Sequence, residues 1–230
     1  MGQSLGRLLR LMFGVKRSMT YFPLAETHDC GTAYWESLGL LTGMTPLITN
    51  STTIENFDDS DGTAVTITDS VALAGTAAAA SWTGYNLAAS KTKLLAIAYV
   101  HPSTSNYIGV GFHTGTLPSS TLEDSYEATF DGTGGHSELA KYTTAGGLAA
   151  LQTEATIYQD DVVTTAVWGI GLYVDQSGGS EVQKVFVKSS GQWIQILTDT
   201  DTDHSSFQSV YLRHYGESAR FITPVMCWGA

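Results

Sequence analysis

Eight short runs rich in β-branched and aromatic residues, separated by glycine, serine, asparagine and aspartate, fill most of the chain beyond residue 62. They are GTAVTITDSVALAG, KTKLLAIAYV, NYIGVGFHTG, SYEATFDGTGG, AVWGIGLYVDQSGG, EVQKVFVKSSGQWIQIL, FQSVYLRHYG and ARFITPVMCWG. Runs of this composition, closed by residues of this kind, read as strands and turns. In EVQKVFVK the alternation is strict, Val182, Lys184, Phe186 and Lys188 against Gln183, Val185 and Val187. Val185 to Ile196 reads as a hairpin that turns at KSSGQ. The spacing predicts an all-β body, an antiparallel two-sheet sandwich, over residues 62–230. Gly109, Gly111, Gly169 and Gly171 lie inside these runs, where a missing side chain permits close packing or curvature. One stretch, Glu138 to Ala155, has helical character, but Gly146 and Gly147 interrupt it, and it reads as loop with a short turn.

Ahead of the strands the texture differs. Leu5, Leu8, Leu9, Met12 and Phe13 recur at helical spacing with Arg7, Arg10 and Arg17 on another face, so residues 1–19 read as a basic amphipathic arm. A helix this short is marginal in water and orders only against a partner surface. Residues 20–61 keep no sustained period and read as an extended arm running into loops. The uncharged run from Leu11 to Val15 is too short for a bilayer span or a signal-peptide core. Gly2 fits a myristoylation motif, yet Gly6 stands where that motif takes Ser or Thr.

Charge divides the same way. Arg7, Arg10, Lys16 and Arg17 give +4 before the first acid, Glu26, and a net charge of −11 then leaves −15 for the rest. Such a body repels nucleic acid, because phosphate binding needs clustered Lys and Arg. The expected partner of Arg7, Leu8, Arg10, Met12, Phe13, Lys16 and Arg17 is instead an acidic groove on another protein. Two cysteines, Cys30 and Cys227, imply no disulfide scaffold, and pairing and burial as free thiols both stay open.

Few patterns carry chemistry. Asp199, Asp201 and Asp203 alternate in TDTDTDH, so in an extended conformation their carboxylates point one way and could chelate a hard cation such as Ca²⁺. The spacing is not that of an EF-hand, since His204 and Val210 stand where that loop needs Gly and Glu. The bland alternative is a solvated acidic turn, as for Asp58, Asp59 and Asp61 in DDSDG. The six histidines form no HExxH pair, which argues against zinc. Trp82, Tyr85, Trp193, Tyr211 and Tyr215 could stack on sugar rings if exposed, or fill the inter-sheet core if not.

The late segments VWGIGLYVD, VQKVFVKSSGQWIQI and FQSVYLRHYGE resemble the back half of a concanavalin A-like (LamG-type) jelly roll, and the resemblance spans about residues 62–229. That fold includes lectins, glucanases and accessory modules of phage particles, so it leaves function open. The Glu-x-Asp-x-x-Glu strand of its glucanases is absent here, which argues against hydrolysis. The expectation is therefore a non-enzymatic structural protein on the exterior of a virion, such as a capsid decoration or tail-associated protein. Its arm would dock on a capsid or tail protein of the same particle, and the sandwich would be displayed, with homo-oligomers expected. The alternative is a lectin-like module for host adhesion that binds surface polysaccharide, with or without Ca²⁺. No resident cofactor and no membrane span are expected.

Overall fold

Alternation of apolar and polar residues builds the strands, and pairing between both consecutive and distant strands builds the sheets. The computed structural model describes residues 32–48, 55–56, 66–68, 71–73, 80–101, 107–117, 124–131, 136–143, 148–153, 168–178, 181–189, 192–215 and 220–230. A six-residue helix, α1 (Thr32–Ser37), precedes β1 (Thr45–Ile48), β2 (Glu55–Asn56), β3 (Thr66–Thr68), β4 (Val71–Leu73) and β5 (Ala80–Lys91). There follow β6 (Lys93–His101), β7 (Tyr107–His113), β8 (Ser125–Asp131), β9 (His136–Tyr142) and β10 (Leu148–Thr153). The last five are β11 (Trp168–Asp175), β12 (Val182–Ser189), β13 (Gln192–Asp199), β14 (Phe207–Tyr215) and β15 (Arg220–Gly229).

Two antiparallel sheets face each other as a jelly roll. The first runs β13-β12-β11-β6-β15-β4-β3, with β1 also paired to β15, and the second runs β10-β9-β8-β7-β14-β5-β2. The hairpin read at Val185 to Ile196 forms as β12 and β13, Ser189 opposite Gln192. Leu94, Ala96 and Ala98 of β6 and Ile170, Leu172 and Val174 of β11 point inward from the first sheet. Ile108, Val110 and Phe112 of β7, Ala128 and Phe130 of β8 and Val210 and Leu212 of β14 meet them from the second. Burying these side chains is the main force closing the sandwich.

Three parts depart from the sequence reading. The segment read as loop and short turn from Glu138 to Ala155 instead supplies most of β9 and all of β10, and the two pair with each other. Its Ala and Leu content suits a helix, but β8 offers a full register of backbone partners, and tertiary pairing overrides propensity. The twelve-residue β5, ASWTGYNLAASK, went unread because its small and polar residues dilute the alternation. The stretch read as arm and loops over 20–61 contributes α1, β1 and β2.

Part of the outward face of the first sheet is apolar as well. Gly169 and Gly171 clear a floor there, and a Cβ on Gly169 would come within 2.6 Å of Trp193 Cη2. Into this space α1 lowers Trp35, fully buried, with its ring 4.9 Å from those of both Phe186 and Trp193. A six-residue helix has too few hydrogen bonds to stand alone, so the indole anchors it.

Residues 31–230 form one compact unit. The arm residues Arg7, Leu8, Arg10, Met12, Phe13, Lys16 and Arg17, with Cys30 and Asp58, Asp59 and Asp61, lie outside the described residues. Among the described residues no helix is long and apolar enough to cross a membrane.

Candidate functional site

The outward face of the second sheet is polar, and much of it is nevertheless buried. In β8 the residues that alternate with the inward Tyr126, Ala128 and Phe130 are Ser125, Glu127 and Thr129, each fully buried. In β14 Tyr211 and Arg213 share that face, and between the two strands β7 places Gly109 and Gly111. The glycines are required by what crosses them. A Cβ on Gly111 would sit 2.1 Å from Tyr211 Cζ, and one on Gly109 would sit 3.0 Å from Glu127 Oε1. Tyr211 and Arg213 thus reach over β7 to Glu127 on β8.

Both oxygens of Glu127 are engaged. Arg213 donates from Nη2 to Oε1 at 2.7 Å and from Nε to Oε2 at 2.8 Å, a bidentate pair. The Tyr211 hydroxyl donates to Oε2 at 3.1 Å and lies 3.3 Å from Ser125 Oγ. Burial works against the Arg213 charge, and the Glu127 carboxylate more than offsets it, so the guanidinium is held as a cation. Burial, then the neighbouring Glu127 charge, pushes the Tyr211 hydroxyl well above its ordinary range.

Beside this cluster the partly buried ring of Tyr142 lies 5.5 Å from Arg213 Cζ, a cation–π contact. At the far side Asn86 of β5 pairs reciprocally with the backbone of Leu117, 2.7 Å in each direction. Leu117 thereby covers Gly84 and flanks the cluster. The result is a neutralised acid–guanidinium pair with hydroxyls, sealed from solvent, beside a partly buried tyrosine. The cluster itself is closed to ligand, and what this face offers beside it is the partly exposed Tyr142, held in place by Arg213.

Of the aromatics read as sugar platforms, Tyr211 is fully buried and Trp193 is nearly so under Trp35, so neither presents a ring face to solvent. Tyr85 points inward and packs on the core. Trp82 and Tyr215 contribute backbone to β5 and β14, and their side chains lie outside the described residues. Sequence reasoning missed Glu127, Arg213 and Tyr142. The available signal was an acid and a guanidinium, each alternating with core residues, on either side of a GVG strand.

The three aspartates do not converge on a common point. Asp199 accepts from the Thr200 amide at 2.6 Å, whereas Asp201 and Asp203 both bond the Lys141 ammonium. Among the described residues no group of three His, Cys, Asp or Glu side chains could hold a metal ion. The Asp199, Asp201 and Asp203 cation site is thus corrected to an acidic turn neutralised by lysine. Cys227 is buried in the core, which pushes its thiol up out of the reactive range.

No protein-family model matches the chain, and no curated protein does. Solved structures do. Lectin II from Ulex europaeus aligns with a TM-score of 0.52 and 9% identity over 82% of this chain and 98% of its own. The lectin UEA-II complexed with galactose gives the same figures, 0.52, 9%, 82% and 98%. A native glycosidic hydrolase aligns at 0.52 and 9% over 80% of this chain and 94% of its own. At such identities the likeness shows the fold alone, and that fold is the concanavalin A-like jelly roll expected from the late strands.

Proposed function

We propose that this protein is a non-hydrolytic, lectin-like module that binds carbohydrate on the outward face of its second sheet. The observation that carries the reading is the jelly roll that the chain shares with lectins, and on this face the partly buried Tyr142 is held against the closed cluster of Glu127, Arg213, Tyr211, Ser125 and Thr129. The first sheet covers its outward face with a tryptophan, while the second keeps hydroxyls and charges there at the cost of desolvating them. A binding role fits better than hydrolysis, since glycosidases need two carboxyl groups free to act on the bond. Glu127 has both oxygens committed to Arg213 and Tyr211. Galactose, present in one lectin of this fold, is the first sugar to try.

A glycan array probed with the purified chain tests this. We expect signal on a subset of neutral glycans, unchanged by EDTA and weakened at least tenfold by Tyr142→Ala. Silence on every glycan overturns the reading.

We also propose, from the sequence, that the protein is displayed on a virus particle through its basic arm. Support comes from the partition of charge, +4 in the arm against −15 elsewhere, and from the apolar stripe of Leu5, Leu8, Leu9, Met12 and Phe13. Deleting residues 1–19 should abolish retention on assembled particles, and undiminished occupancy overturns this placement.

A further inference from the structure

Lys141 and Tyr142 are neighbours on β9 that face opposite ways. Tyr142 belongs to the outward cluster, whereas Lys141 stands opposite the inward Tyr126 in the register of β8 and β9. The lysine reaches the acidic turn between β13 and β14, so its ammonium joins the second sheet to a connection leaving the first. There it bonds the carboxylates of Asp201 and Asp203.

Asp201 is held on every side. Its Oδ1 accepts from the Tyr126 hydroxyl at 2.5 Å and from the Asp203 amide at 3.0 Å. Its own amide donates to Gln183 Oε1 at 2.9 Å, and its carbonyl accepts from Gln183 Nε2 at 2.6 Å and Gln176 Nε2 at 3.1 Å. Gln183 is fully buried, and the side chains of Lys141 and Asp201 are only 16% and 12% exposed. The His204 amide donates to the Tyr126 hydroxyl at 3.3 Å, and the ring packs 5.0 Å from that of Tyr126.

We propose that Lys141 is a built-in cation, whose ammonium holds the 200–206 turn where two carboxylates would otherwise need a divalent metal ion. Without it, the carboxylates of Asp201, 12% exposed, and Asp203, 57% exposed, are left close to one position with no cation there, a repulsion that hard cations with oxygen ligands relieve. The hydrogen bonds to Asp201 outweigh the upward push of burial and keep its carboxyl below the ordinary range, and those same carboxylates raise the Lys141 ammonium. One consequence rests on the lectin-like reading. Tyr126 and Glu127 share β8, Lys141 and Tyr142 share β9, and the turn leads directly into β14 with Tyr211 and Arg213. The clasp therefore positions the outward cluster with no metal ion.

Thermal melts of the full chain test the clasp apart from any glycan. The wild type should melt at one temperature in EDTA and in millimolar CaCl₂. Lys141→Met should lower Tm by about 5 °C or more in EDTA and regain much of it in CaCl₂, a response that Lys141→Arg should not show. The double variant Lys141→Met with Asp201→Asn should lose the calcium response, because one carboxylate is gone. A wild type stabilised by calcium or weakened by EDTA overturns the proposal. So does a Lys141→Met chain that melts like wild type, ignores calcium, or stays unfolded in its presence. A silent glycan array leaves the clasp standing, and a failed melt leaves the array result standing, so the two failures are distinguishable.

Discussion

Glu127 has no exposed surface, and its neighbours in space are remote in sequence: Tyr211 is 84 residues away and Arg213 is 86. This is why the cluster was hard to read from the chain. A strand such as SYEATF shows which residues share a face, but polar residues opposite a core face read as solvent-exposed by default. Only the pairing of β7 with both β8 and β14 reveals that two glycines let a tyrosine and an arginine fold over the acid. Breaking a buried ion pair on one side leaves a charge without its partner, so Arg213→Ala should cost about 3–5 kcal/mol. Urea unfolding checks this, and Arg213→Ala combined with Glu127→Gln should recover part of the loss. Equal midpoints for wild type and Arg213→Ala would show that the pair does not carry that weight.

The strands most legible in the sequence are those with strict alternation of β-branched residues, such as β12, where the hairpin and its turn were placed directly. Segments built from alanine, glycine and small polar residues hid theirs, as in β5, β9 and β10, because their pairing is dictated by the neighbouring strand. The helix α1 was equally hidden, and it matters more than its length suggests. Trp35 packs against Tyr34, Phe186 and Trp193 and shields Gly171, with its Cη2 3.7 Å from where a Cβ would stand. Removing a fully buried indole forfeits its transfer energy and leaves a cavity, so Trp35→Ala should cost about 3–5 kcal/mol. Trp35→Phe should keep most of that stability. Near-UV circular dichroism should record the loss of aromatic packing in the alanine variant, and an unchanged spectrum would sink the role given to α1.

At the scale of the whole molecule, the two-sheet architecture followed from the rhythm of strands and turns, while the order of strands within each sheet did not. Each sheet joins a run of consecutive strands, β11 to β13 or β7 to β10, to strands far apart in the chain, and local patterns carry no record of those distant pairings. The first sheet shows this most plainly, since β15 pairs with β1, β4 and β6, with Thr45 standing opposite Gly229. A ribosome that has reached residue 219 has already released β1, β3 and β4 into solution, yet the strand that holds two of them to the sheet does not exist. Closing loops of this length is slow, and the waiting strands expose unpaired edges. The sandwich is therefore completed only once β15 has been made, and the interval before β15 emerges is when nascent chains are most exposed to one another.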